Sequence, residues 1–218
     1  VVELKKYIEI NDINKNIINY INIMIKIAKA CNYIKIKNIL HLDIKPQNIL
    51  ISLKDSSVTL IDFGLSCIMK NEYCSIDKIG GTPNYVAPET LKYNTTSIPI
   101  TYKTDIYSLG LVFFYIVTNG LNYSYIIETY LKKDFDDIKK KYAKSSSSSK
   151  DINRIAYYYF ITNENYSKKV KEQLTKYVLN NTSYSNCSNI IYSMIKFSQS
   201  DRPTYEEIIS ELESLIKK

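Results

Sequence analysis

Four side chains in a short stretch of this chain could act together on a phosphate. Asp43 and Lys45 stand two residues apart in His41-Leu42-Asp43-Ile44-Lys45-Pro46-Gln47-Asn48, Asn48 closes that segment, and Asp62 follows fourteen positions later at the head of Asp62-Phe63-Gly64. A carboxylate and an amide oxygen, Asp62 and Asn48, suit a small hard cation such as Mg²⁺, which takes oxygen ligands and shares them with substrate phosphates. A second carboxylate and an ammonium, Asp43 and Lys45, would orient a hydroxyl and offset the charge of a phosphoryl group in transit. The segment between Asn48 and Asp62 explains how these groups could meet. Ile49-Leu50-Ile51-Ser52-Leu53 and Val58-Thr59-Leu60-Ile61 are separated by the polar Lys54-Asp55-Ser56-Ser57, which reads as a β-hairpin. Paired strands lie about 5 Å apart, so the residues at the open mouth of such a hairpin, Asn48 and Asp62, are expected to converge.

At these residues the chain resembles the C-terminal lobe of a eukaryotic-type protein kinase. The resemblance continues downstream through Gly81-Thr82-Pro83-Asn84-Tyr85-Val86-Ala87-Pro88-Glu89, through Asp105-Ile106-Tyr107-Ser108-Leu109-Gly110, and through Asp201-Arg202-Pro203-Thr204. Motifs of this kind in this order carry far more weight than any one of them. The resemblance implies roles residue by residue. Asp43 and Lys45 would be catalytic, with Asp43 accepting or orienting the hydroxyl proton and Lys45 neutralising the transferring phosphate. Asn48 and Asp62 would hold the metal, and Leu50 and Ile61 would line the nucleotide pocket. ATP and Mg²⁺ are the implied cofactors, and Ser/Thr hydroxyls of a protein are the implied substrate, since Lys45 and Gly81-Thr82-Pro83-Asn84-Tyr85 fit the Ser/Thr branch. Asp105 would tie down the backbone of the catalytic loop, and Arg202 would pair with Glu89. Two other functions fit the same residues: an inactive relative acting as a binding module, or a small-molecule phosphotransferase of related fold.

The elements that must position these groups are mainly helical. Ile17, Ile21, Met24, Ile25, Ala28 and Cys31 recur at helical spacing, with Asn22, Lys26 and Lys29 on the opposite face. Ile106 to Val117 is apolar around most of its circumference, which marks a buried helix, and Asn119-Gly120 is its stop signal. Thr204 and Glu207 form a capping box ahead of Ile208, Ile209, Leu212, Leu215 and Ile216. The fold class expected is mainly α with a small β-hairpin, a protein-kinase-like C-lobe. Residues 1–218 would be one domain with 1–4 as a hinge remnant, 41–64 as the catalytic and metal-binding loops, 65–89 as the activation segment, and 121–183 as a divergent region. Within the last, the serine run at 145–149 reads as a mobile loop.

Two departures from the family pattern matter. Leu42 stands where many members carry Arg, and leucine cannot hold a phosphorylated activation segment by a charge-assisted contact. Activity independent of loop phosphorylation is therefore expected, although Ser66, Tyr73, Ser75 and Thr82 offer hydroxyls. The catalytic loop also begins at residue 41, which leaves no stretch here for the family's N-terminal lobe. No G-x-G-x-x-G occurs among the five glycines.

The chain has 218 residues, enough for one sizeable core. Lys outnumbers Arg 27 to 2, and Tyr is abundant at 21 while Trp is absent. This bias fits an AT-rich coding sequence. The +7 net charge is spread over scattered lysines without aromatic interleaving, so no nucleic-acid partner is expected. Cys31, Cys67, Cys74 and Cys187 lack metal-ligand spacing and His41 is the only histidine, so zinc is not expected. Free thiols in a reducing, cytoplasmic or nuclear compartment are the expectation. Asn94-Thr95-Thr96 and similar triplets are expected by chance in so Asn-rich a chain. No apolar stretch approaches the ~20 residues of a membrane helix, so no membrane partner is expected. Oligomeric state is not legible.

Overall fold

The computed structural model describes residues 1–11, 16–74, 81–91, 99–142, 149–181 and 184–217. A short strand β1 (Val2–Glu3) leads into helix α1 (Leu4–Ile10) and the long helix α2 (Ile17–Ile36). Strands β2 (Ile39–Leu40), β3 (Ile49–Ile51), β4 (Val58–Leu60) and β5 (Cys67–Ile68) follow, and the rest is helical. Those helices are α3 (Lys103–Val117), α4 (Tyr123–Tyr130), α5 (Lys132–Tyr142), α6 (Ser149–Thr162), α7 (Glu164–Asn181), α8 (Ser188–Met194) and α9 (Tyr205–Ile216). The expected mainly helical class with a small hairpin is what forms.

The hairpin pairs β3 with β4 antiparallel, with Ile49 opposite Leu60 and Ile51 opposite Val58. Ile49 and Ile51 are buried, whereas Leu50 faces the other side and is half-buried. Period-two alternation in a strand produces this division. β1 pairs with β3 on its other edge, with Glu3 opposite Leu50, so residues 2–3 form a third strand of the same sheet.

Helix α3 is the central element, buried along Thr104 to Val117. It ends as its sequence signal requires. Asn119 (φ 55°) and Gly120 (φ 100°) are left-handed, and the Gly120 N–H reaches back to the Tyr115 carbonyl at 2.8 Å, closing the last turn. Gly110 lets α8 approach, since a Cβ there would lie 2.8 Å from Ile195 Cγ2 and 2.9 Å from Met194 Cβ. Helix α2 buries Ile21, Met24, Ala28 and Cys31 as expected, and also Ile23 and Ile27. On its outer side Lys26 donates to the carbonyls of Asp55 and Ser56 in the β3–β4 turn, and Lys29 pairs with Glu213 on α9. The capping box of α9 is present in both directions.

Residues 121–181 supply α4 to α7 and part of the main core, including Phe160, Val170, Leu174 and Val178, all fully buried. Ser149 opens α6, while Ser145–Ser148 and the Asn94 triplet lie outside the described residues. No helix among the described residues is long and apolar enough to cross a membrane.

The expectation of four free thiols is corrected. Cys31 and Cys187 are free and buried, but Cys67 and Cys74 are joined by a disulfide with their Cα atoms 6.3 Å apart. Residues 67–74 fold back on themselves. Lys70 and Tyr73 exchange backbone bonds around Asn71 and Glu72, both left-handed at φ 51° and 69°. Such a turn ordinarily advertises itself with Gly, and without one the spacing of the two cysteines gave no sign of the return.

Candidate active site

The residues from His41 to Asn48 form an irregular loop between β2 and β3, and its shape is set from below. Asp105, in the first turn of α3, accepts the backbone N–H of His41 at 2.7 Å and that of Leu42 at 2.9 Å. Leu42 is held left-handed at φ 64°, a costly conformation for a branched side chain, and the two bonds to one buried carboxylate stabilise it. Burial pushes the Asp105 carboxyl up, while the two amides pull it down. The role expected for Asp105 is therefore the geometry observed. His41 is fully buried. Its Nε2 lies 3.0 Å from the Ile61 carbonyl, its Nδ1 accepts the Asp43 N–H at 3.3 Å, and its ring packs 4.8 Å from that of Phe63. This histidine links the loop to the Asp62-Phe63-Gly64 segment, a part that reading the residue types alone did not assign to it.

Asp43 is the hub. One carboxylate oxygen, Oδ1, accepts the Thr82 N–H at 3.1 Å and the Thr82 hydroxyl at 2.8 Å. The other, Oδ2, accepts the Lys45 ammonium at 2.6 Å and the Asn48 amide at 3.0 Å. Asp43 is only 8 % exposed. Burial alone would raise its pKa, but the bonds from Lys45, Thr82 and Asn48 outweigh it and hold the carboxyl below the usual range. Lys45 Nζ also lies 3.0 Å from Thr82 Oγ1. The Asn48 Nδ2 donates to the Asp43 carbonyl as well, at 2.9 Å. With its nitrogen so committed, the amide leaves its oxygen free to face a cation.

Asp43, Lys45 and Asn48 are thus brought together by direct bonds. Asp62 is positioned through the backbone: the Ile61 N–H donates to the Asn48 carbonyl at 3.0 Å, so Asp62 follows immediately after the closing bond of the hairpin. It is exposed and left-handed at φ 62°. Its carboxylate accepts the Gly64 N–H at 3.3 Å and makes no hydrogen bond to the other three. Leu50 and Ile61 are both half-buried. Among the described residues no cluster of three or more His, Cys, Asp or Glu could hold a metal alone. The Asn48 amide and the Asp62 carboxylate each offer an oxygen of the kind Mg²⁺ takes, the rest of whose shell comes from water and substrate phosphates.

Thr82, expected as a motif residue and as one of the hydroxyls of the activation segment, instead contacts Asp43 across 39 residues, a tertiary result. Arg202 and Glu89 pair as expected, with Nη1 on Oε1 at 2.6 Å and Nη2 on Oε2 at 2.8 Å. Arg202 further donates to the carbonyls of Lys103, Lys196 and Phe197, so all five of its N–H groups are used. The pair anchors the far end of the segment that bears Thr82.

The geometry agrees with what comparison finds. The model of the protein kinase domain family matches residues 2–212. Serine/threonine-protein kinase 17A of Oryctolagus cuniculus is 33% identical over 130 residues, which cover 53% of this chain and 32% of that protein. Smooth muscle myosin light chain kinase of Gallus gallus is 39% identical over 103 residues, 47% of this chain and 5% of the relative. The death-associated protein kinase related protein of Drosophila melanogaster is 38% identical over 101 residues, 45% of this chain and 14% of the relative. The chain spans a third or less of the length of each.

Proposed function

Because the chain belongs to the protein kinase family, we propose that it is the C-terminal lobe of a Ser/Thr protein kinase, transferring the ATP γ-phosphate to protein hydroxyls with Mg²⁺. The observation that carries this reading is the four-donor cradle around Asp43. A carboxylate held ionised and pinned at both oxygens is a poor general base at neutral pH, since the best base has a pKa near the working pH. An incoming hydroxyl would take the place of one of these four donors, be oriented by the carboxylate, and give up its proton late, as the bond to phosphorus forms. Such transfers rely on positioning and on charge stabilisation more than on covalent chemistry.

Lys45 spends two donors on Asp43 and Thr82, and an ammonium has three. The third would meet a phosphate oxygen. Asn48 and Asp62 would hold Mg²⁺ through their oxygens, and the ion would bridge and neutralise the phosphates. Leu50 and Ile61 would form apolar wall against the adenine. Residues 41–64 would then be the catalytic and metal-binding loops, and 65–89 the activation segment. The buried Arg202–Glu89 pair and the Thr82 contact favour a protein substrate over a small molecule, because both serve to shape the segment on which a peptide would lie.

Transfer of labelled phosphate from ATP to Ser/Thr peptides by the full-length protein tests the reading. Mg²⁺-dependent labelling of Ser and Thr, and not of Tyr, is expected. Tight Mg²⁺-nucleotide binding without any transfer would favour the binding module instead.

A further inference from the structure

The segment after Asp62-Phe63-Gly64 contains a covalent cross-link whose two ends are fastened to different supports of the site. Cys67 is paired with Leu40 in the β2–β5 ladder, and Leu40 runs directly into His41-Leu42-Asp43. Cys74 exchanges both backbone hydrogen bonds with Ile100, at 2.8 and 3.3 Å. Ile100 leads into α3, whose Asp105 holds the amides of His41 and Leu42. The disulfide Cys67–Cys74 therefore joins the strand entering the catalytic loop to the chain entering the helix that anchors it. Under it lies a separate apolar cluster of Leu40, Met69, Cys74 and Ile100, with Leu42, Cys67 and Tyr102 packed against it. Leu42 offers no charge to a phosphorylated segment, and among the described residues of this cluster the sulfur–sulfur bond is the one covalent tie.

We propose that Cys67–Cys74 is a thiol–disulfide exchange site, taking small thiols or dithiols, whose oxidised form holds residues 65–74 against the catalytic loop. Cys67 is half-buried and Cys74 is 2 % exposed, while Ile68 beside Cys67 is 73 % exposed. A reductant's thiolate therefore attacks the Cys67 sulfur. The Cys67–Cys74 bond breaks, a mixed disulfide forms on Cys67, and the Cys74 thiolate takes a proton. A second thiol of the reductant then attacks the outer sulfur and leaves as its disulfide, and Cys67 is released as a thiol. Two electrons pass from the reductant to the protein. The consequence for activity rests on the kinase reading above; the latch itself does not.

The test treats the full-length protein with dithiothreitol and follows it by alkylation mass spectrometry and amide hydrogen exchange. Before reduction, native alkylation should label neither Cys67 nor Cys74. After reduction it should label Cys67, leaving the buried Cys31 and Cys187 unmodified. Exchange at residues 39–43 and 65–74 should speed up by on the order of tenfold or more, the scale of losing a cross-link over so short a loop. Phosphotransfer should fall in parallel and return on reoxidation. A Cys67→Ala/Cys74→Ala variant should show the reduced pattern with or without dithiothreitol. If it does not fold, the wild-type comparison decides alone. Thiols found free under oxidising conditions, or exchange at 39–43 and 65–74 unaltered by reduction, would overturn the proposal. Absence of phosphotransfer in both redox states would instead count against the kinase reading, with the exchange data still deciding the latch.

Discussion

Asp43 receives four donors, two on each oxygen, and this arrangement fixes both its charge and its orientation. Asp43→Asn keeps the shape but removes the acceptor for a hydroxyl proton. The turnover of the full-length protein should drop by ~10²–10⁴-fold with nucleotide affinity retained, a split that steady-state kinetics and calorimetry can resolve. Asp62→Asn should weaken Mg²⁺-nucleotide binding itself. Thr82 allows a pH test. The folded site holds Asp43 below its ordinary value, so its contribution to stability is complete above about pH 4 and fades as pH falls further. Thr82→Val removes the hydroxyl donor, so the folded-state carboxyl rises toward its unfolded value; the variant is less stable above about pH 4, and its remaining acid-dependent loss is smaller and ends at a higher pH. Acid unfolding followed by circular dichroism should show that displacement, and coincident acid limbs for the two proteins would count against the donor role. At this scale, residue types and spacing already named Asp43, Lys45, Asn48 and Asp62. They did not disclose the bond from Thr82 to Asp43, because no local spacing encodes a contact made across 39 residues.

Elements depend on a few buried joints. Arg202 and Glu89 are nearly inaccessible, with side chains 0 % and 6 % exposed, and Arg202 also lies 4.9 Å from the Tyr107 ring. Removing one member leaves the other charged and buried, so Arg202→Ala should cost about 3–5 kcal/mol in chemical denaturation. The Arg202→Ala/Glu89→Ala double variant should lose less than the two single losses added together. Gly110→Ala would force α3 and α8 apart, because its Cβ would sit 2.8 Å from Ile195 Cγ2. A loss of about 1–3 kcal/mol is expected for such overpacking, read as a lower thermal midpoint. The β3–β4 hairpin was legible because alternation and a polar turn are local signals. β2 and β5 were not. Each has only two residues, and Leu40 and Cys67 pair across 27 positions of the chain, which no local pattern encodes. The disulfide was hidden because its return at Asn71-Glu72 uses left-handed residues without glycine.

Among the described residues, α2, α3 and α9 share the main core. Ile208 and Leu212 of α9 are fully buried in the core that α2 shares. Leu212→Ala should cost about 2–5 kcal/mol and should lower a single cooperative transition if α9 belongs to one core. Two separate transitions would show that α9 unfolds by itself. The helices of this core were legible as periodic apolar stripes, and the capping box of α9 could be read from two residues. The divergent 121–183 region was not legible in that way, since its lysine-rich, serine-rich composition hides that Phe160, Leu174 and Val178 point inward.

What the sequence determined alone was the proposed reactive set and helices α2, α3 and α9, because a motif's residues are near neighbours and helical periodicity is written along one element. Asp105 beneath the loop and Arg202 against Glu89 were expected from the family resemblance, and the fold supplies their distances. Only the tertiary structure decided that Thr82 lies over Asp43 and that Cys67 is bonded to Cys74, because each pair is joined by the path of the chain through space. The geometry of such partners is a property of the packed core, and it appears only once that core has formed.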